Sequence, residues 1–125
     1  MVHLSDGEWK IMQLLWQQAP RTIMQLTADL QQETDWTKHT VITMLNRMEK
    51  KGAVRYEEGA RAKLYYPLVE REEAAASETR GFLNKVYEGS LSLMVNSMVS
   101  QKHVSQKELE ELYAILQQAE EETWK

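Results

Sequence analysis

The chain has 125 residues, 42% of them hydrophobic and 27% charged, which suits a soluble protein of one domain or one and a half with a real core. It has no cysteine, so disulfides and thiolate metal sites are excluded. No apolar run approaches the roughly 18 residues of a membrane span and the N-terminus lacks a signal-peptide pattern, so no membrane insertion and a cytoplasmic location are expected.

Ser5-Asp6-Gly7-Glu8 reads as a capping box opening a first helix. Trp9, Met12, Leu15 and Trp16 make its apolar side, widened by Ile11 and Leu14, and Pro20 disfavours helical geometry at Ala19. Thr22, with Gln25 three residues on, opens a second helix through about Gln32 that buries Ile23, Leu26 and Leu30. Glu33 to Trp36 link it to the next element.

The stretch from Thr34 to Gly52 carries one helix with two faces, and Thr37 is its N-cap. Val41, Leu45 and Met48, with Met44 beside them, form an apolar stripe. His39, Thr43, Asn46, Arg47 and Lys50 lie opposite, interrupted only by Ile42. Lys50 and Lys51 place cations at the negative helix end, and Gly52 closes it in the left-handed conformation. A short helix with an apolar back and a Thr/Asn/Arg/Lys front is what a major groove accepts.

Ala53 to Tyr56 and Ala62 to Tyr66 are strand-like runs, joined by Glu57 to Arg61 with Gly59 suited to a hairpin turn. Helix, helix, helix, hairpin is the element order of a winged helix-turn-helix domain, with Arg61 and Lys63 on the wing, within reach of a phosphate backbone. Net charge agrees: the chain carries −4 overall, yet Trp36 to Tyr66 holds seven basic residues against three acidic.

Beyond Pro67 the chain reads as helical. A helix from Arg71 to about Glu88 carries Ala75, Thr79, Phe82 and Val86, with Gly81 a weak point and Gly89-Ser90 the break. Leu91 to about Ser100 is apolar on most sides through Leu91, Leu93, Met94, Val95, Met98 and Val99. Ser105 and Glu108 form a further capping box, opening a last helix with Leu109, Leu112, Tyr113, Leu116 and Ala119 on one face. Three short helices cannot bury that surface among themselves, so a second copy of the chain is expected to cover it. The expected fold is therefore mainly α: a winged helix-turn-helix domain over residues 1–69 (three helices plus a β-hairpin wing), then a three-helix dimerisation arm over residues 70–125.

The residues also resemble a known family. Leu4 to Met12 followed by Leu14-Leu15-Trp16 is similar to the opening of the penicillinase-repressor (BlaI/MecI) family. So are Asp35-Trp36-Thr37 through Val41, Lys50-Lys51-Gly52, Tyr65 to Val69, Phe82 to Tyr87, and Ser105 to Leu116, which together span nearly the whole chain. The resemblance implies a homodimeric winged-helix repressor of a dyad-symmetric operator, of the kind that controls β-lactamase and penicillin-binding-protein genes. It also implies a partner, a membrane-spanning sensor-protease that cuts the repressor within its arm at an asparagine–aromatic bond. Here Val95-Asn96-Ser97-Met98 stands at that place, the asparagine shifted by one position and followed by no aromatic; the cleavage region would be Asn96, Ser97 and Met98. Lys38-His39 replaces the family's usual Pro-Lys pair, which points to a different preferred operator, and the absence of cysteine excludes the copper-sensing type.

The expected DNA-binding residues are Thr37, Lys38, His39, Thr40, Thr43, Arg47, Lys50, Arg61 and Lys63, with double-stranded operator DNA as partner. Thr40, Thr43 and Arg47 would enter the groove, while Lys38, Lys50, Arg61 and Lys63 would mostly neutralise phosphate. The expected dimer contacts are Phe82, Val86, Leu91, Met94, Val95, Met98, Leu109, Leu112, Tyr113 and Leu116. No cofactor, metal or catalytic residue is expected, because the three histidines are scattered over separate elements and no nucleophile–base pair has motif spacing. Two other functions compete. One is a regulator released by a small ligand at the dimer interface, where the seven methionines would make an adaptable lining. The other is a winged-helix module that binds protein, whose DNA affinity would not fall steeply with salt.

Overall fold

The computed structural model describes residues 2–123. Met1, Trp124 and Lys125, which the expected domain limits include, lie outside them. Eight elements follow in order: α1 (Asp6–Gln17), α2 (Ile23–Leu30), α3 (Lys38–Lys50), β1 (Val54–Glu58), β2 (Lys63–Pro67), α4 (Arg71–Tyr87), α5 (Leu91–Ser100) and α6 (Gln106–Thr123). The mainly α class with a hairpin after the third helix is as expected. The chain divides into two compact units, Met1–Thr79 and Arg80–Lys125. The expected limit lies at 69/70; Ala74, in the first turn of α4, is buried with the N-terminal core.

Capping sets the helix starts. Ser5 accepts from the Glu8 N–H at 3.2 Å while Glu8 Oε1 accepts from the Ser5 N–H at 2.8 Å. Thr22 and Gln25 repeat this reciprocal arrangement at 3.1 and 2.9 Å. At α6 the Ser105 hydroxyl accepts from the Glu108 N–H at 3.2 Å. α1 ends at Gln17, two residues before Ala19-Pro20, and α2 at Leu30, two before the expected Gln32.

The core of the first unit is built from α1, α2, α3 and the hairpin. Ile11, Met12, Leu26, Val41, Leu45 and Met48 are completely buried. The buried side of α1 is centred on Ile11, Met12 and Leu15, while Trp9 and Trp16 stand half-buried at its edge with rings 5.3 Å apart. Trp16 reaches a polar partner from there, its indole N–H donating to the Val69 carbonyl at 2.9 Å. β1 and β2 pair antiparallel from Val54↔Pro67 to Glu58↔Lys63, so β1 runs two residues into the expected turn, β2 begins one residue later than expected, and the loop is Gly59 to Ala62. The hairpin is anchored at Tyr65, which exchanges two backbone hydrogen bonds with Arg21 at 2.9 and 3.2 Å.

α3 is fixed at both ends. Thr37 caps its start by accepting from the Thr40 N–H at 3.3 Å. At its finish Gly52, at φ +82°, lets its own N–H bond the Glu49 carbonyl and the Ala53 N–H bond the Met48 carbonyl, a Schellman closure. α1 lies close against this helix because Gly7 has no side chain: a Cβ there would come within 2.7 Å of Met44 Cε and 3.1 Å of the Trp36 ring.

A buried ion pair completes the attachment. The Glu8 side chain is 1% exposed, and its Oε1 accepts from Lys51 Nζ at 2.7 Å. Lys51, the C-cap of α3, also donates to the His3 carbonyl at 2.9 Å. Burial pushes the Glu8 carboxyl up, but the Lys51 ammonium and the hydrogen bonds from Ser5 outweigh it and hold the group below its ordinary value. Its second oxygen, Oε2, is buried without a hydrogen-bond partner among the described residues, so the pair depends on the Oε1 contacts.

Glu8→Gln should lower the unfolding free energy by about 1.5–3 kcal/mol at pH 7, the range for a hydrogen bond to a charged group. A depressed folded-state carboxyl stabilises fully above the unfolded value of about 4.3, and that stabilisation fades as pH falls toward the folded value. Urea unfolding should therefore show the difference between the two proteins narrowing below about pH 4.3. An equal difference at pH 7 and pH 3 would contradict the role of this pair.

Candidate nucleic-acid interface

Burial of Val41, Leu45 and Met48 determines which way the rest of α3 looks. At 100° per residue the side opposite them is centred on Thr43 and Lys50, flanked by His39, Asn46 and Arg47, and all five are exposed. Four of the expected contacts, His39, Thr43, Arg47 and Lys50, are therefore brought together on one solvent-facing surface. Thr40 sits at its margin, half-buried, with its hydroxyl 3.3 Å from that of Thr37. Thr37 lies at the helix start with its oxygen engaged as the cap. Lys38 stands apart from this face: it is exposed beside α2, where it lines a shallow hollow with Met24, Thr27 and Gln31.

Local chemistry limits what each group can offer. The Thr43 hydroxyl donates to the His39 carbonyl at 3.0 Å, which commits its hydrogen and leaves the oxygen lone pairs to accept. Arg47 and Lys50 carry their charge in the last turn of the helix, where the macrodipole favours it. On the hairpin, Arg61 is exposed in the Gly59–Ala62 loop. Lys63 is half-buried, with its ammonium 4.2 Å from the centroid of the Tyr56 ring. Arg55 packs likewise over Tyr66 at 4.2 Å and pairs with Glu57 at 2.9 Å. The wing thus presents cations braced on tyrosines, with Arg61 standing free of any ring. The sequence pattern did not single out Arg55, although its alternation with Tyr56 on β1 was the signal.

Lys51 differs from its neighbour Lys50. The two adjacent lysines read alike in sequence, yet Lys50 faces solvent and Lys51 is turned back to Glu8. Among the described residues no group of three or more His, Asp or Glu side chains is placed to hold a metal.

In the second unit no residue of α5 or α6 is buried. Of the ten expected dimer contacts, Phe82, Val86, Leu91, Met98, Tyr113 and Leu116 are 41–72% exposed. Met94, Val95, Leu109 and Leu112 are half-buried. Leu93, Val99 and Ile115 are 40–61% exposed as well. α5 and α6 line a groove of about 300 Å³ whose walls include Leu91, Met94, Met98, Leu112 and Ile115. Asn96 is exposed and Ser97 half-buried, both within α5. No described helix is long and apolar enough to cross a membrane.

The chain is 31% identical over 113 residues to the methicillin resistance regulatory protein MecI of Mammaliicoccus sciuri, covering 90% of this chain and 92% of that one. It is 30% identical over 115 residues to the penicillinase repressor of Bacillus licheniformis, covering 92% and 90%. The solution structure of the DNA-binding domain of the repressor BlaI superposes with a TM-score of 0.52 at 27% identity, over 57% of this chain and 87% of that domain. The monomeric form of Bacillus licheniformis BlaI in complex with the blaP half-operator gives 0.51 at 26% identity, over 58% and 88%. The penicillinase repressor family model matches residues 4–118, and the chain belongs to that family.

Proposed function

We propose that the chain is a homodimeric transcriptional repressor that binds a dyad-symmetric operator in double-stranded DNA and works in the cytoplasm. The observation that carries this reading is the exposed polar face of α3, held outward by three fully buried side chains on its back. The similarity to BlaI, solved with a half-operator, supports it. In this reading Thr40, Thr43 and Arg47 meet base edges in the major groove, with His39 beside them. Lys38, Lys50, Arg61 and Lys63 neutralise phosphate, and Thr37 orders the helix start.

The helical segment 70–125 is the dimerisation arm. Two helices without a buried residue do not hold their own apolar surface out of water. Each Leu, Val, Met or Phe covered by a partner contributes up to about 1.5–3 kcal/mol. A second copy is the economical cover, because it also sets two reading heads at half-sites one helical turn apart. Relief of repression by a sensor-protease acting at Asn96, Ser97 and Met98 is consistent with the exposure of Asn96 and Met98 on a ten-residue helix. The alternative, release by a small apolar ligand, is favoured by the methionine-lined groove between α5 and α6. It predicts a dimer whose operator affinity falls when a ligand of that class is added, with the chain intact.

Arg47→Ala should weaken binding to DNA from the promoter of a regulated gene at least tenfold while leaving the mass in light scattering at that of a dimer. Unchanged affinity would mean that α3 does not enter the groove as assigned. Leu116→Asp should convert the dimer to a monomer in sedimentation and cut affinity for the full operator more than for a half-site. A dimer that survives this change would place the interface elsewhere.

A further inference from the structure

We propose that Asn46 is a specificity-determining residue of α3, its amide pairing bidentately with the N6 and N7 edge of an adenine in the major groove. The proposal rests on the DNA-binding reading of α3 and deepens it. Asn46 lies in the interior of the helix and is exposed, and nothing among the described residues takes up its amide. Asparagine is one of the poorer helix formers, and its side chain normally finds use at caps and turns, where it bonds nearby backbone. Here it neither caps nor packs, so the fold gains nothing from it.

Its surroundings narrow what it can do. Thr43, one turn back on the same face, has its hydroxyl hydrogen committed to the His39 carbonyl. Arg47 beside it and Lys50 one turn ahead carry donors only. His39 has a donor and an acceptor on separate ring edges, which cannot engage one base side by side. Asn46 therefore offers this face its coplanar donor and acceptor, both unengaged. Adenine presents the matching pair, N7 accepting and the N6 amino group donating. Guanine presents two acceptors, cytosine a donor alone, and thymine an acceptor with a methyl group, so each leaves part of the amide unpaired.

The experiment uses the full-length chain. Wild type and Asn46→Ala are each taken through binding selection from a random-sequence duplex pool, and the selected duplexes are base-scanned by fluorescence anisotropy at fixed salt. The wild type is expected to require an A·T pair at one position of each half-site and to lose about tenfold when that adenine is replaced by 7-deazaadenine. Asn46→Ala should lose that preference, with discrimination there reduced about ten- to hundredfold. Its salt slope should match the wild type, because the residue is uncharged, and its thermal midpoint should be no lower, because Asn46 makes no contact within the fold and alanine is the better helix former. An identical consensus with undiminished discrimination for Asn46→Ala would overturn the assignment of Asn46 alone. A wild type that selects no sequence, and whose duplex affinity is insensitive to salt, would overturn the DNA-binding reading and this proposal with it.

Discussion

Val41, Leu45 and Met48 recur at the spacing of one helical stripe, and the first unit closes over all three. Withdrawing that stripe from water fixes the rotation of α3 about its own axis, since any other rotation would expose three large apolar groups and bury Thr43, Arg47 or Lys50. Each deeply buried side chain contributes on the order of 2 kcal/mol, whereas burying an unpaired cation costs more than that. The polar face of α3 thus looks outward as a consequence of packing, before any ligand is considered. Gly7 and the Glu8–Lys51 pair then set how close α1 comes and where α3 ends.

Rigid placement matters for recognition. A side chain that reads a base edge must be held to within a fraction of an ångström, and elements locked by packing achieve this better than loops. α3 has a hydroxyl cap at one end, a Schellman closure and a buried ion pair at the other, and a fully buried back. The hairpin is tied to the first unit by the Arg21–Tyr65 backbone pair. The arm helices are the opposite case: their apolar side chains are open, and their order is expected to come from association rather than from a core of their own.

Much of this was legible in the chain. Capping residues mark the starts of α1, α2 and α3, because a Ser or Thr at the N-cap, joined at α1 and α2 by Glu8 or Gln25 three residues on, is a local signal that does not depend on tertiary context. The period of 3.6 gave the buried side of α3. What the sequence concealed was long-range. Glu8 reads as half of a capping box, and nothing near it announces that its other partner lies 43 residues away at Lys51. Lys51 reads as a second helix-end cation like Lys50 for the same reason. Lys63 reads as a free wing cation, and its seat over Tyr56 becomes visible only once the register pairs β1 with β2. Pro67 punctuates the sequence after the hairpin, and nothing near it announces that Ala74, in the first turn of α4, packs with the N-terminal core. On α1, the tryptophans drew the apolar side toward themselves, whereas Ile11, the smaller group, takes the centre.

The most direct test of the central claim is hydroxyl-radical footprinting of the full-length chain on DNA upstream of its own and adjacent genes. Two protected backbone patches related by a dyad, with centres a whole number of helical turns apart, are the expected result for two copies each laying α3 in a major groove. A single protected patch would contradict the paired arrangement, and unprotected DNA at low salt would contradict the assignment of α3 as a reading helix.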